Sequence, residues 1–275
     1  MDKGIFTALS GGIAKGHELE LVANNLANAN TPGFRRDVGT FNEYMTELRR
    51  QDSVEGLQRE ITAATLFDGR PAGDKSFVEM DGTYTNFGQG TVFRTGRSLD
   101  VAIEGKGFLE VLTPSGIRYT RQGNLSIGPD GTLSTANGFP VLASRGAEVG
   151  EGALGNEEAN GRMIQVKDGV LRIAEDGSLF QNDLRVGTLS VIEFKEDQWL
   201  EKTGNSYFRN VHPENTNISV ENSRVHQGFL EGSNVNAVSE MTKLIELTRA
   251  YESHMQAIKT YQDIDKKSSN EIAKG

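Results

Sequence analysis

The residues most able to do chemistry are the histidines, one glycine-rich segment and the carboxylates. His17, His212, His226 and His254 form no metal-ligand spacing with one another or with a carboxylate on one face. Residues 104–108 (EGKGF) resemble a phosphate loop, but the remaining glycines and a following helix are missing, so a hairpin turn is the better interpretation. No pair of carboxylates stands out as an acid/base couple. We therefore expect no catalytic residue, no cofactor and no metal site, and we predict that the protein is not an enzyme.

Charge and composition limit the partners. The net charge of −9 and the isoelectric point near 5.1 disfavour nucleic acid, and the compact basic pairs Arg35–Arg36 and Arg49–Arg50 are expected to be solvated ends of a loop. The chain has no Cys, so disulfides and thiolate metal sites are ruled out. We find no apolar run long enough to cross a bilayer, which predicts no direct membrane insertion, and none typical of a cleaved secretory signal at the start.

The pattern of residues 3–30 predicts an amphipathic helix. Small and apolar residues alternate at spacings of four and three, which is typical of a helix that packs on other helices. These seam positions are Ile5, Leu9, Gly12, Gly16, Leu19, Ala23 and Leu26. The glycines permit close approach of two backbones but weaken an isolated helix. Residues 30–33 (NTPG) end it, because proline cannot continue the helix.

The last segment repeats the pattern. Its seam positions are Met241, Leu244, Thr248, Tyr251, Met255 and Ile258. The pattern runs from residue 234 to residue 267 without Gly or Pro, which predicts a helix of about 50 Å at about 1.5 Å per residue. An alternative interpretation is that the two helices belong to one globular core. Their positions at opposite ends of the chain favour instead a helix pair that also packs on partner molecules.

Asparagines crowd the end of the first helix, where they are poor helix formers. Fraying towards the helix end is one interpretation. The other is that Asn24 and Asn28, four residues apart on one face, hydrogen-bond to neighbouring helices and fix their register. Phe34 would then fill an apolar site just after the turn.

Between the helices the pattern changes to short strands. Residues 99–103 and 108–112 alternate like strands, and Asp-Gly and Asn-Gly pairs mark tight turns at residues 130–131, 137–138, 168–169 and 176–177. We predict an α+β fold with a central antiparallel all-β domain over residues 85–205. Terminal residues 1–35 and 233–275 would form a helical assembly domain that pairs as a coiled-coil-like layer. Residues 36–84 and 206–232 would connect the two, with a short helix predicted at residues 41–57.

Several segments of the chain form recognisable motifs, among them residues 21–34 (LVANNLANANTPGF) and residues 227–236 (QGFLEGSNVN). The first resembles the N-terminal signature, and the second the C-terminal signature, of the bacterial flagellar rod and hook protein family. Residues 99–108 (LDVAIEGKGF) look like its first β segments. Shorter matches occur at residues 119–123, 130–133 and 249–252. The opening residues 1–8 and residues 97–101 resemble the proximal-rod type, with the distal-rod and hook types as alternatives.

The resemblance implies a structural subunit that polymerises helically into the flagellar rod and transmits torque. Its partners would be copies of itself, neighbouring rod subunits and the flagellar type III export apparatus, and it would lie in the basal body, crossing the periplasm without a cleaved signal. A cell-wall glycan-binding or hydrolytic β module is the rival hypothesis. The signature residues expected to serve assembly are Asn24, Asn25, Asn28, Thr31, Pro32, Gly33, Phe34, Gly232, Ser233, Asn234 and Asn236.

Overall fold

A helix stands at each end of the chain, and antiparallel strands lie between them. The structure is a computed structural model that describes residues 2–45, 76–144, 159–166, 170–182, 184–217 and 223–272. Helix α1 spans Asp2–Ala27, and helix α2 spans Ala237–Ile272. The predicted α+β class is confirmed.

The strands are short, and most pair antiparallel. Their bounds are β1 Asp37–Met45, β2 Ser76–Thr85, β3 Val92–Arg94, β4 Val101–Glu104, β5 Phe108–Thr113, β6 Gly116–Thr120, β7 Leu125–Ile127, β8 Leu133–Thr135, β9 Leu171–Ile173, β10 Ser178–Gln181, β11 Leu184–Thr188, β12 Val191–Phe194, β13 Leu200–Gly204, β14 Tyr207–Asn210, β15 Thr216–Asn217, β16 Arg224–Gln227 and β17 Phe229–Glu231. The widest described sheet has the order β13-β14-β6-β5-β12-β15, and β11-β10-β9 form another. The pairs β1-β2, β16-β4, β17-β3 and β7-β8 complete the described pairings.

Two of the predicted tight turns build hairpins as expected. Asp130–Gly131 lies between β7 and β8, and Gly131 has a φ of 79°. Asp176–Gly177 lies between β9 and β10, and Gly177 has a φ of 81°. Glycine adopts this left-handed conformation without the steric cost that other residues meet. The turn at residues 168–169 lies outside the described residues.

Two local predictions were wrong. Residues 104–108 do not form a hairpin, because β4 pairs with β16 whereas β5 pairs with β6 and β12. The chain therefore changes sheets at this turn. The helix predicted at residues 41–57 is replaced over its first residues by β1, which pairs with β2; residues 46–57 lie outside the described part of the chain. Long-range strand pairing overrides the local helical spacing there.

The described strands enclose two apolar cores. The larger core draws side chains from β4, β5, β7 to β10, β12, β14 and β16, with Val111, Leu133 and Leu179 fully buried. The smaller core is aromatic, with Phe108, Phe194 and Phe208 in edge-to-face contacts at ring-centroid distances of 5.5 and 5.8 Å. Such contacts bury large apolar area and fix ring orientation. The two cores therefore pack the strands of the β region together.

By its contacts the chain divides into two compact units. One contains residues 1–23, 39–83 and 239–275, and the other contains residues 24–38 and 84–238. The β unit therefore includes the last turn of α1 and the first residues of α2. The domain bounds drawn from the sequence stay a prediction.

Candidate assembly site: the terminal helices and their junction

The predicted seams lie partly inside and partly on the surface. On α1, Gly12 is buried and Leu9 is 41% exposed, while the remaining seam residues are half-buried. On α2, Ile258 is buried, and Leu244 and Thr248 are half-buried. The exposed seam residues of α2 are Met241 at 46%, Tyr251 at 37% and Met255 at 46%. A single chain therefore covers only part of the seams.

Glycines bring α1 and α2 together in antiparallel directions. A β-carbon placed at Gly12 would lie 3.6 Å from Cβ of His254, and one at Gly16 would lie 3.7 Å from Cε2 of Tyr251. Both distances are ordinary contacts. The tighter approach is at Gly11, outside the predicted seam, where a β-carbon would lie 2.9 Å from Cε1 of His254. His254 is thus a packing residue between helices.

Sequence reasoning missed some of the most buried helical residues. Ala14 and Val22 are about as buried as core residues, at 5% and 4% exposure, although neither falls on the predicted seam. Conversely, Val238 and Ile245 of α2 are 70% and 53% exposed. Together with the exposed seam residues, they leave an apolar surface open along α2, a feature typical of contact surfaces for other molecules.

The asparagines at the end of α1 have separate roles. Asn28 Nδ2 donates to the carbonyl of Asn24 at 2.9 Å, and its Oδ1 accepts from the hydroxyl of Thr31 at 3.2 Å, so it closes the helix end. Asn24 is exposed. Asn25 is 1% exposed and pairs with the backbone of Asp37. The register role predicted for Asn24 and Asn28 stays a prediction.

We call residues 24–38, 86–91 and 228–236 the junction. In the junction, Gly33 has a φ of 68°, and its N–H donates to the carbonyl of Glu231 at 2.9 Å. A β-carbon there would lie 2.5 Å from the carbonyl carbon of Arg121, so no side chain fits. Pro32, just before it, is half-buried. The Pro-Gly turn thus lays the chain directly on the backbone at the end of β6.

Phe34 occupies a buried position after this turn, at 3% exposure. Lys202 Nζ lies 3.9 Å from the centre of its ring, within range of a cation–π contact. The same ammonium donates to the carbonyl of Arg35 at 2.9 Å and to Asp37 Oδ2 at 2.7 Å. Lys202 on β13 therefore contacts Phe34, Arg35 and Asp37 in the segment that follows α1.

Asn234 ties the segment before α2 to two other segments of the junction. Its Oδ1 accepts from the N–H of Arg36 at 2.7 Å, and its Nδ2 donates to the carbonyls of Asn86 and Gly88 at 2.8 and 2.9 Å. The N–H of Asn86 in turn donates to the carbonyl of Arg36 at 2.8 Å. One amide thereby satisfies backbone groups of chain segments that are far apart in sequence.

The other C-terminal signature residues contribute through the backbone and short contacts. Gly232 N–H donates to the carbonyl of Thr91 at 2.9 Å, and Ser233 Oγ accepts from the N–H of Val235 at 3.2 Å. Asn236 is exposed just before α2. Of the signature residues, the structure thus brings Asn25, Gly33, Phe34, Gly232 and Asn234 into one contiguous set of contacts.

The structure corrects the expectation for Arg35 that arose from the sequence. It was expected at the solvated end of a loop, but it is 0% exposed and its Nη2 contacts Glu231 Oε1 at 2.7 Å. Glu231 Oε2 also lies 3.3 Å from Arg121 Nη1. The missed signal was a pair of opposite charges at the two signatures: Arg35 directly follows the first, and Glu231 lies within the second, directly before Gly232.

The described residues show no group of three or more His, Cys, Asp or Glu placed to hold a metal ion. Over the same part of the chain, neither helix has the length and apolarity that a bilayer crossing requires.

Comparison with known families gives three matches, in the same order as the elements. Residues 5–35 match the flagella basal body rod protein family. Residues 102–181 match the flagellar hook protein FlgE/F/G D1 domain, and residues 226–271 match the flagellar basal body rod FlgEFG protein C-terminal family. The first and last matches contain most of α1 and α2 and both signatures.

Individual relatives span all or nearly all of the chain. The flagellar basal-body rod protein FlgF of Caulobacter vibrioides is 32% identical over 100% of this chain and 99% of its own length. FlgF of Mesorhizobium japonicum is 31% identical over 92% of this chain and 90% of its own. The basal-body rod protein FlgG of Buchnera aphidicola subsp. Baizongia pistaciae is 31% identical over 98% of this chain and 99% of its own length. The chain therefore belongs to the flagellar basal-body rod protein family and is a structural subunit of the rod.

Proposed function

We propose that this subunit polymerises through its terminal helices, packing the seam of α1 on the seam of α2 within one chain and between neighbouring subunits. The observation that carries the proposal is the open apolar surface of α2, where Met241, Tyr251 and Met255 of the seam stay exposed. Burying such side chains in a helical contact stabilises assembly by about 1.5–3 kcal/mol for each fully covered Leu- or Met-sized group. Assembly would then cover what the single chain leaves open.

The partners follow from this surface and from the family. They are other copies of the chain and neighbouring rod subunits, with the flagellar type III export apparatus as the route of delivery. The subunit would lie in the part of the rod that crosses the periplasm and would act without catalysis. Support comes from the relatives named as rod proteins and from the signatures at both ends.

The proximal part of the rod is the favoured position. The opening residues 1–8 resemble the proximal-rod type, and relatives named FlgF match the chain over nearly its full length. FlgG relatives match at similar identity, so a distal position is the alternative. Labelled subunits located in isolated basal bodies by cryo-electron microscopy would separate the two.

The seam is tested with Met255→Asp, which puts a charge on the exposed seam of α2. The matched control is Leu184→Asp on β11, where Leu184 is 74% exposed in the β unit. We expect both monomers to fold, and we expect Met255→Asp alone to lose incorporation into basal bodies and motility. Normal incorporation of Met255→Asp would refute assembly through the seam.

A cell-wall module is tested by deleting residues 1–34 and 234–275. A glycan-binding or hydrolytic β module would keep its wall activity after this deletion. An assembly subunit would lose all incorporation into the rod, which is the result we expect.

A further inference from the structure

Glu231 lies where the segments of the junction meet. We propose that Arg35, Arg121 and Glu231 form a charge lock that positions the last turn of α1 and the residues before α2, and that Glu231 is its positioning residue. The lock itself follows from contacts within the β unit, whereas its effect on assembly rests on the proposed function. It goes beyond the seams, because Glu231 is buried and belongs to no exposed surface of the described residues.

The contacts of Glu231 join four segments that are distant in sequence. Its Oε1 accepts from Arg35 Nη2 at 2.7 Å and from the N–H of Gly90 at 2.8 Å, and its Oε2 accepts from Arg121 Nη1 at 3.3 Å. Its own carbonyl accepts from Gly33 at 2.9 Å. One residue therefore links the chain after α1, the segment that returns from β2, the end of β6 and the segment before α2.

The lock is shielded from water. The side chains of Arg35 and Glu231 are 0% exposed, and that of Arg121 is 3% exposed. Arg121 is further held by the carbonyls of Ile103 and Gly105, to which its guanidinium donates at 3.3 and 2.6 Å. Charge attraction is stronger here than at a surface, because little solvent screens it.

Burial opposes the charged state of the lock. It lowers the pKa of Arg121 to about 10, although the nearby carboxylate of Glu231 raises it. Asp197 is a half-buried carboxyl whose pKa is raised by burial, and the charges of Lys106, Arg121 and Arg35 oppose that rise, while Glu196 adds to it. The lock itself contains charges of both signs in one buried place.

A buried group of opposite charges determines the orientation of the segments that it joins more than it raises the free energy of unfolding. Removing charges from water is costly, and apolar side chains of similar volume often stabilise a core as well or better. The three separate donors that meet Glu231, however, hold its carboxylate in one orientation. We therefore infer that the lock selects one arrangement of the segments next to α1 and α2.

The chain contains a matched control for the burial of charge. Glu110 on β5 is 1% exposed and pairs with Arg162, and its Oε2 also accepts from Ser190 Oγ at 2.7 Å. This pair is buried in the β unit, where Arg162 also donates to the carbonyl of Ala143 at 2.8 Å, and these residues lie outside the junction. A merely structural role predicts similar consequences for Glu231→Gln and Glu110→Gln, whereas a positioning role predicts different ones.

The test compares full-length Glu231→Gln, Arg35→Lys and Glu110→Gln in dilute solution by amide hydrogen exchange, and in cells by incorporation into basal bodies. For Glu231→Gln we expect about tenfold faster exchange in residues 31–38 and no more than roughly twofold change in residues 108–120. Arg35→Lys keeps the charge but removes the Nη2 donor that contacts Glu231 Oε1, and should fall between wild type and Glu231→Gln. Glu110→Gln should act around residues 108–120 and leave residues 31–38 unchanged.

Incorporation should fall about tenfold for Glu231→Gln and stay near wild type for Glu110→Gln. Unchanged exchange in residues 31–38, or an equal rise throughout the chain, would overturn the lock. Faster local exchange with normal incorporation would overturn its role in assembly. If Met255→Asp blocks incorporation while Glu231→Gln does not, only this inference fails; if Met255→Asp assembles normally, the proposed function fails instead.

Discussion

The side-chain amide of Asn25 forms two hydrogen bonds with the backbone of Asp37, one through its nitrogen and one through its oxygen. Asn25 Nδ2 donates to the carbonyl of Asp37 at 2.8 Å, and the N–H of Asp37 donates to Asn25 Oδ1 at 2.9 Å. An amide side chain here does what a neighbouring strand would do, since it satisfies one donor and one acceptor of the residue that opens β1. The end of α1 is thereby fastened to the start of the next element.

Asn25→Ala should be destabilising because it leaves both backbone groups of Asp37 without these partners. We expect a loss of about 2 kcal/mol in the free energy of unfolding, measured by urea denaturation. Asn24→Ala is the control, since Asn24 is exposed one residue earlier. It should change stability by no more than about 0.5 kcal/mol. Equal losses in the two variants would show that the pairing contributes nothing specific.

Gly33→Ala should lower the free energy of unfolding by more than the positive φ of Gly33 alone explains. The new β-carbon would lie 2.5 Å from the carbonyl carbon of Arg121, where backbone has to move. We expect a loss above about 4 kcal/mol. Gly138→Ala serves as control, because Gly138 has a φ of 79° but nothing within 4 Å of the added carbon. Its cost should be the conformational one of about 1–2 kcal/mol. Similar unfolding midpoints for both variants would contradict the close approach.

Acid should weaken the turn between β9 and β10. The N–H of Ser178 at 2.9 Å and its hydroxyl at 2.8 Å lower the pKa of Asp176. A lowered pKa stabilises the fold fully above the ordinary value of about 4 and loses that contribution as the pH falls through the folded value. The difference in urea midpoint between wild type and Asp176→Asn should therefore be largest near neutral pH and shrink below about pH 4.

Ser178→Ala provides the companion measurement, because it removes the hydroxyl donor and keeps the N–H. Its effect should have the same pH dependence as Asp176→Asn and a smaller size. A midpoint difference for Asp176→Asn that stays constant down to the acid transition would mean that ionisation of Asp176 does not stabilise the turn.

The sequence predicted features whose causes are local. Both helices follow from heptad spacing, and the hairpins at Gly131 and Gly177 follow from Asp-Gly turns whose glycines have positive φ. The end of α1 follows from Pro32 and the asparagines before it. In each case neighbours along the chain decide the conformation.

The errors have long-range causes. Phe41–Met45 has helical spacing, yet it lies in β1 because pairing with β2 outweighs a weak local preference. Arg35 is a charged residue that any local rule places in solvent, and it is buried because Glu231, distant by 196 residues, meets it. The separate role of Asn25 among four nearby asparagines likewise depends on where Asp37 lies, which spacing alone did not show.

The bond from Asn86 N–H to the carbonyl of Arg36 has a consequence for the length of the chain that it closes. Together with the hydroxyl of Thr85, which donates to Asp37 Oδ1 at 2.9 Å, it brings the start of β1 and the end of β2 to one place. The entropy lost by such a closure grows only slowly with the number of residues between the joined ends. Residues inserted between β1 and β2 should therefore weaken these closing contacts only slightly.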